Sequence, residues 1–201
     1  YALWVPIRVD PLAFGLYERD RWPLLVRALD RATFSEGTAL RQLADKYDQR
    51  DERGYDNNST VAYHAVRCLD HPSSPDHDDV PGFEAAFADI APVFGPSLAW
   101  SVAECSAWPV EAANPQGPVS AEGVDSILVV GTTHDPATPY AWAESLVRQL
   151  GSARLVTREG DGHTGYHTGN RCIDELVDDH VLGRGLPRGE LRCDEDGRLL
   201  P

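Results

Sequence analysis

Methionine is absent from all 201 residues. Tyr1 is therefore not expected to be a translation start, and any signal peptide would belong to a piece removed ahead of it. No Cys-x-x-Cys occurs, which disfavours a zinc ribbon. No apolar run approaches the roughly 20 residues that a membrane helix needs, so no membrane span is expected. Basic residues are scarce: 18 Lys and Arg stand against 32 Asp and Glu, a formal net charge of −14. That balance argues against nucleic acid as a partner. The surplus reads first as a solvated acidic surface, with an acidic site for a cationic group as the alternative. Gly-x-Ser-x-Gly, the turn that lifts a nucleophilic serine off the end of a strand, is missing too. There is no internal repeat and no long low-complexity tract.

What remains is the make-up of a globular domain. Hydrophobic residues are 42% and charged residues 25%, and the length allows one large domain, or one domain with an insert, around a core of useful size. Four cysteines fall at 68, 105, 172 and 193. An even count permits three pairings. The nearest-neighbour one, Cys68–Cys105 with Cys172–Cys193, is the simplest, and it would imply an oxidising compartment. Four buried free thiols are the alternative.

Along the chain, residues 1–110 read as mostly helical. Asp20 can cap a helix with Trp22, Leu25, Val26 and Leu29 on one face. Thr38 can cap a second, with Leu40, Leu43, Ala44 and Tyr47 on its face. A weaker candidate runs from Thr60 to Leu69, residues 71–79 form a loop, and Phe83, Phe87, Ile90 and Phe94 recur at helical spacing. No alternating strand is evident there. A Pro/Gly-rich connector at 114–123 precedes a change to strand–helix–strand–helix. Ile127 to Val130 reads as a buried strand. Thr138 is expected to cap the next helix with Pro139 in its first position. Trp142, Leu146 and Leu150 are expected on that helix's inner face, with Gly151 as the stop. Arg154 to Thr157 reads as the second strand. Cys172 to Leu182 reads as the last helix, with Ile173, Leu176, Val177 and Val181 apolar.

Chemistry concentrates after those two strands. Gly131-Thr132-Thr133-His134-Asp135 follows the first, and Gly160-Asp161-Gly162-His163 follows the second. A nucleophilic hydroxyl needs a base, and histidine titrates near neutrality. The imidazole needs a carboxylate to fix its tautomer and to stabilise its charged form. Adjacent parallel strands joined by a right-handed crossover would carry both groups to one rim of the sheet. Asp135 and His163 are therefore the candidate acid and base. Helix-capping for Asp135 and an ordinary loop position for His163 are the bland alternatives. Among competitors, His134 is expected to point elsewhere and Asp161 to shape its turn. His163 and His167 with Asp161 could suggest a metal site, but they fall in a Gly-rich loop rather than on one helix face. No metal and no cofactor are expected. Gly95-Pro96-Ser97-Leu98-Ala99 imitates a nucleophile turn poorly. It lacks a preceding strand and the second glycine, so Ser97 is not expected to be the nucleophile.

The run from Val129 to Ala143 resembles the C-terminal portion of actinobacterial tripeptidyl aminopeptidases, the α/β-hydrolase group with a TAP-like C-terminal region. Residues 152–157, Gly160-Asp161-Gly162-His163-Thr164-Gly165-Tyr166, Cys172-Ile173-Asp174 and the tail 182–193 extend the resemblance. Residues 65–70 and 105–109 look like the family's cysteine-bearing lid segments. The likeness covers most of the chain, strongly from about residue 100 and more loosely before 60. It implies an α/β fold: the C-terminal part of a hydrolase sheet at 111–201, with a helical lid over residues 1–110. It also implies a secreted or envelope-associated serine exopeptidase that releases tripeptides from peptides with a free N-terminus. Asp135 would be the triad acid and His163 the base, and the two nearest-neighbour cysteine pairs match the family's disulfides. The serine and oxyanion hole would lie in an N-terminal half or companion chain. An acidic residue would meet the substrate amine, Asp70 and Glu104 being the candidates. An esterase or lipase of the same fold, or a nucleophile-less peptide-binding protein, are the alternatives.

Overall fold

The computed structural model describes residues 9–70, 74–111, 117–124 and 126–200. His71, Pro72 and Ser73 of the expected loop, and Asn114, Pro115 and Gln116 of the expected connector, lie outside the described residues. The chain divides into two compact units, Tyr1–Leu12 with Ala28–Gly117, and Ala13–Arg27 with Pro118–Pro201. Helices α1 (Val9–Leu16) and α2 (Trp22–Thr33) span the points of division.

The first unit is mainly helical. It holds α3 (Thr38–Tyr47), α4 (Ser59–Asp70), α5 (Val80–Ile90) and the short α6 (Gly95–Ala99). In α3 the expected spacing buries Leu43 and Ala44 but leaves Tyr47 exposed. Thr38 is the first helical residue rather than the cap; Gly37 holds the cap position and offers no side-chain acceptor. The aromatic stripe of α5 is only partly used. Phe87 packs against Val80, Ala99 and Ala103, while Phe83 and Ile90 stay exposed. The sequence shows no strand pattern here, yet β1 (Arg50–Asp51) pairs antiparallel with β2 (Gly54–Tyr55). Two residues per strand are too few to display alternation. Local polar bonding closes this hairpin, with the Arg53 N–H donating to Asp51 Oδ1 at 2.8 Å. A disulfide ties Cys68 of α4 to Cys105.

The second unit carries a three-stranded, all-parallel sheet in the order β3-β4-β5, comprising Ile127–His134, Ala153–Asp161 and Leu191–Cys193. Helix α7 (Tyr140–Leu150) connects the first two strands and α8 (Arg171–Val181) precedes the third. Val156, Cys172, Ile173, Leu176, Leu191 and Cys193 form the core, with Leu128 and Val130 packed against it. A second disulfide joins Cys172 to Cys193. Asn170 starts α8 by accepting the Ile173 N–H at 3.2 Å, and its amide donates to Asp194 O at 2.8 Å.

Several expectations for this unit are corrected. Both long strands run past Val130 and Thr157, because their polar C-terminal ends stay paired to each other as far as His134 and Asp161. β5 is not foreseen, since three residues with no alternation leave no pattern. Thr138 does not cap α7; Pro139 holds that position without a side-chain bond. The inner face of α7 is not Trp142 and Leu146, which are 63% and 37% exposed. Tyr140 and Ala143 face the sheet instead. The Tyr140 hydroxyl lies 2.6 Å from that of Thr157. A Cβ on Gly131 would fall 2.9 Å from Ala143 Cβ, so only glycine admits this close approach. On α8, Val181 points to solvent. In α2, Leu25 and Ala28 are buried, whereas Val26 is exposed. A 3-10 turn over Arg19–Arg21 precedes α2 in place of an Asp20 cap.

Candidate active site

The strand pairing delivers both candidate residues to the C-terminal rim of the sheet. Asp135 follows the last residue of β3, and His163 lies two residues beyond β4. The register shifts between Thr132 and His134. At the shift the Gly160 N–H donates to Thr133 Oγ1 at 3.0 Å. Such an irregularity bends a strand and re-aims the residues beyond it.

Asp135 is the electrostatic centre of the rim. Its Oδ1 accepts the N–H groups of Ala137 and Thr138, each at 2.8 Å, and Oδ2 accepts the Thr138 hydroxyl at 2.9 Å. The Thr138 side chain therefore bonds backwards to Asp135, which explains why it does not cap α7. Across the rim, His163 Nδ1 stands 3.0 and 2.9 Å from Oδ1 and Oδ2, and the Thr164 N–H reaches Oδ2 at 3.2 Å. The Asp135 side chain is 3% exposed and that of His163 26%. Burial pushes the Asp135 carboxyl up. The N–H groups of Thr138 and Ala137, then His163 and the Thr138 hydroxyl, outweigh it and hold the pKa below the ordinary value. An ionised carboxylate only accepts hydrogen bonds, so Nδ1 of His163 carries the proton, and in the neutral ring Nε2 keeps its lone pair. That tautomer is the one able to take a proton from a hydroxyl.

The loop bearing His163 is held from Tyr17, in the Ala13–Arg27 segment of the same unit. That segment falls within the 1–110 range expected to form the lid, whereas it groups with the sheet. The His163 N–H donates to Tyr17 O at 2.8 Å, and the two rings lie 4.6 Å apart at 45°. Gly162 has φ +109, and a Cβ there would come within 3.0 Å of Tyr17 O. Tyr17 could not be singled out beforehand, because nothing local in the sequence links it to position 163.

The competing residues fall elsewhere. Asp161 turns its Oδ1 to His134 Nδ1 at 3.3 Å and its Oδ2 to Arg19 Nε at 3.9 Å. The His167 N–H donates to Asp174 Oδ1, and its ring lies against Tyr166. Among the described residues, no group of three or more His, Cys, Asp or Glu is placed to hold a metal ion. Ser97 sits inside the five-residue α6, in the other unit and with no strand leading to it. Glu104 bonds His64 Nδ1 and, at 3.1 Å, Arg67 Nε, so its charge is already met; Asp70 ends α4.

Comparison with known proteins bears on this geometry. A family model described as "TAP-like protein" matches residues 91–193, half of the chain. The carboxylesterase B of Mycobacterium tuberculosis is 37% identical over 183 residues, covering 89% of this chain and 35% of the relative. The serine protease Hip1 of the same species is 36% identical over 182 residues, with the same coverage. The tripeptidyl aminopeptidase of Streptomyces coelicolor is 33% identical over 97 residues, 47% of this chain and 18% of the relative. The Streptomyces likeness is thus more partial than the mycobacterial ones, a correction to the resemblance drawn from the sequence. This chain spans about a third of the length of the mycobacterial relatives. With its parallel sheet, its flanking helices and these matches, the chain belongs to the TAP-like family of α/β-hydrolases and corresponds to their C-terminal third.

Proposed function

We propose that this chain is the acid- and base-bearing part of a serine hydrolase. One observation carries the reading: an imidazole Nδ1 lies 2.9 Å from a shielded, multiply hydrogen-bonded carboxylate at the C-terminal rim of two adjacent parallel strands. A serine from outside these 201 residues attacks the substrate carbonyl. His163 takes the serine proton on Nε2 and then passes it to the leaving group, while Asp135 holds the ring and offsets its positive charge. Backbone N–H groups, also from outside this chain, would stabilise the oxyanion.

The finer reading is an exopeptidase releasing tripeptides from free N-termini, with residues 1–110, apart from the Ala13–Arg27 segment, as the lid that limits how much peptide fits. The matches to a serine protease and to tripeptidyl aminopeptidases favour it. The match to a carboxylesterase favours a second reading, an esterase of the same fold. Two disulfides and no free cysteine among the described residues fit an extracytoplasmic setting. Among the described residues no helix is long and apolar enough to cross a membrane.

The test is to express the chain together with the upstream sequence of its gene. Tripeptide arylamides and short acyl esters are then offered in parallel, with a phosphonate probe that labels activated serines. Labelling that vanishes in His163→Ala supports the hydrolase; labelling unchanged in that variant overturns it. The ratio of the two turnover rates separates peptidase from esterase.

A further inference from the structure

The site needs more than Asp135 to hold its imidazole. Thr164, the residue after His163, has φ +69, a left-handed conformation that a β-branched residue rarely adopts. Its N–H donates to Asp135 Oδ2 at 3.2 Å. Something must hold the strained peptide from its other side. Two side chains do so. The Thr132 hydroxyl, on β3 and almost wholly buried, donates to Thr164 O at 2.8 Å. Arg158, on β4, donates through Nη1 to Asp161 O at 3.0 Å and approaches Thr164 O at 3.5 Å. These carbonyls bracket Gly162 and His163.

We propose that Arg158 and Thr132 are positioning residues for His163, gripping the carbonyls on either side of it so that the imidazole and the Thr164 N–H converge on Asp135. The proposal rests on the reading of His163 as the base. Arg158 reaches both carbonyls through one nitrogen, Nη1. Burial lowers its pKa, while the charges of Glu195, Asp161 and Asp135 oppose that lowering. Its Nε is buried without a partner, so the contacts of Nη1 with the loop carbonyls orient the group. Among the described residues neither side chain hydrogen-bonds the Asp135 carboxylate; both grip the loop backbone, and the charge of Arg158 also faces that of Asp135. Tyr17 O, which accepts the His163 N–H, is the third point of the clamp.

The test uses the chain expressed with the upstream sequence of its gene and needs no turnover. A proton on His163 Nδ1 bonded to Asp135 gives an NMR resonance downfield of the amides, assigned by its loss in His163→Gln. Arg158→Met keeps the apolar stem and removes the donors. Thr132→Val removes only the hydroxyl, and Thr132→Ser restores it. The expected result is loss or broadening of that resonance in Arg158→Met and Thr132→Val. Exchange of the His163 N–H should also quicken by at least about tenfold, and Thr132→Ser should recover both signals. Core methyl resonances of Val156 and Ile173 report that each variant is folded. If Arg158→Met does not fold, the Thr132 pair decides. A folded Thr132→Val or Arg158→Met with the resonance and exchange unchanged overturns the proposal. So does a Thr132→Ser that fails to recover them. Because the readout is geometry, a chain that passes while the complete enzyme shows no serine labelling would sink the hydrolase reading and leave the clamp standing.

Discussion

Asp135→Asn is the most informative single change, because the two carboxylate oxygens share His163 Nδ1 but divide the backbone N–H groups between them. Oδ1 accepts the N–H groups of Ala137 and Thr138 at 2.8 Å. An asparagine oxygen placed there keeps both bonds, and the turn survives. The amide nitrogen then takes the place of Oδ2, facing the Thr164 N–H and His163 Nδ1 at 3.2 and 2.9 Å. Donor would meet donor. The remaining oxygen, 3.0 Å from Nδ1, already holds two N–H groups, so the imidazole is expected to move its proton to Nε2 and let Nδ1 accept from the new amide. That tautomer has no lone pair to offer a hydroxyl. In the complete enzyme, kcat should fall by roughly 10⁴-fold, the scale known for this change in serine proteases. Through the loss of charge-assisted bonds and the orphaned Thr164 N–H, the variant should also lose about 1–3 kcal/mol of stability. The tautomer is read from the ¹⁵N shifts of His163 in the same complete protein, stability from urea unfolding, and kcat from ester or arylamide turnover. A His163 that keeps its proton on Nδ1 in the variant, or a kcat reduced less than about tenfold, would refute the reasoning.

Other outcomes rest on the same geometry. Replacing Cys172 and Cys193 together by alanine opens a loop of sequence separation 21. It should destabilise the sheet unit by about 3 kcal/mol, measured as a lower urea midpoint. Gly162→Ala places a Cβ at φ +109 within 3.0 Å of Tyr17 O. It should cost about 1–3 kcal/mol and broaden the His163 signals. The depressed pKa of Asp135 means that its contribution is full above its unfolded value of about 3.9 and is lost as pH falls through the lower folded value. Urea midpoints should therefore drop below about pH 4, and by less in Asp135→Asn. Trp142 is largely exposed, so Trp142→Ser should change stability by no more than about 0.5 kcal/mol in a urea titration.

Much of the second unit is legible from the residues alone. A short apolar strand, a glycine, a helix stop at Gly151 and a second strand state a parallel β–α–β arrangement, and that arrangement brings Asp135 and His163 to one rim. The phase of α7 is not legible. Apolarity suggests Trp142 and Leu146, but the close approach at Gly131 and the Tyr140 to Thr157 contact turn the helix the other way. Strand ends escape a reading by apolarity because polar residues such as Arg158 and Thr132 lie in the ladder, where pairing rather than hydrophobicity keeps them. The hairpin at Arg50–Tyr55 and the three-residue β5 are too short for any period to appear.

By itself, then, the order of residues determined the class of fold, the strand-end positions of the acid and the histidine, and the cysteine count that allows two bridges. Those are local or periodic properties, written in spacing. Only the tertiary structure decided which oxygen of Asp135 meets which donor and that Asp161 belongs to His134 and Arg19. It alone showed that a carbonyl from Tyr17, far off in the chain, holds the loop on which His163 rides. Those are contacts between distant segments. No local pattern encodes them, because packing, charge and backbone geometry choose among them only once the chain has closed on itself.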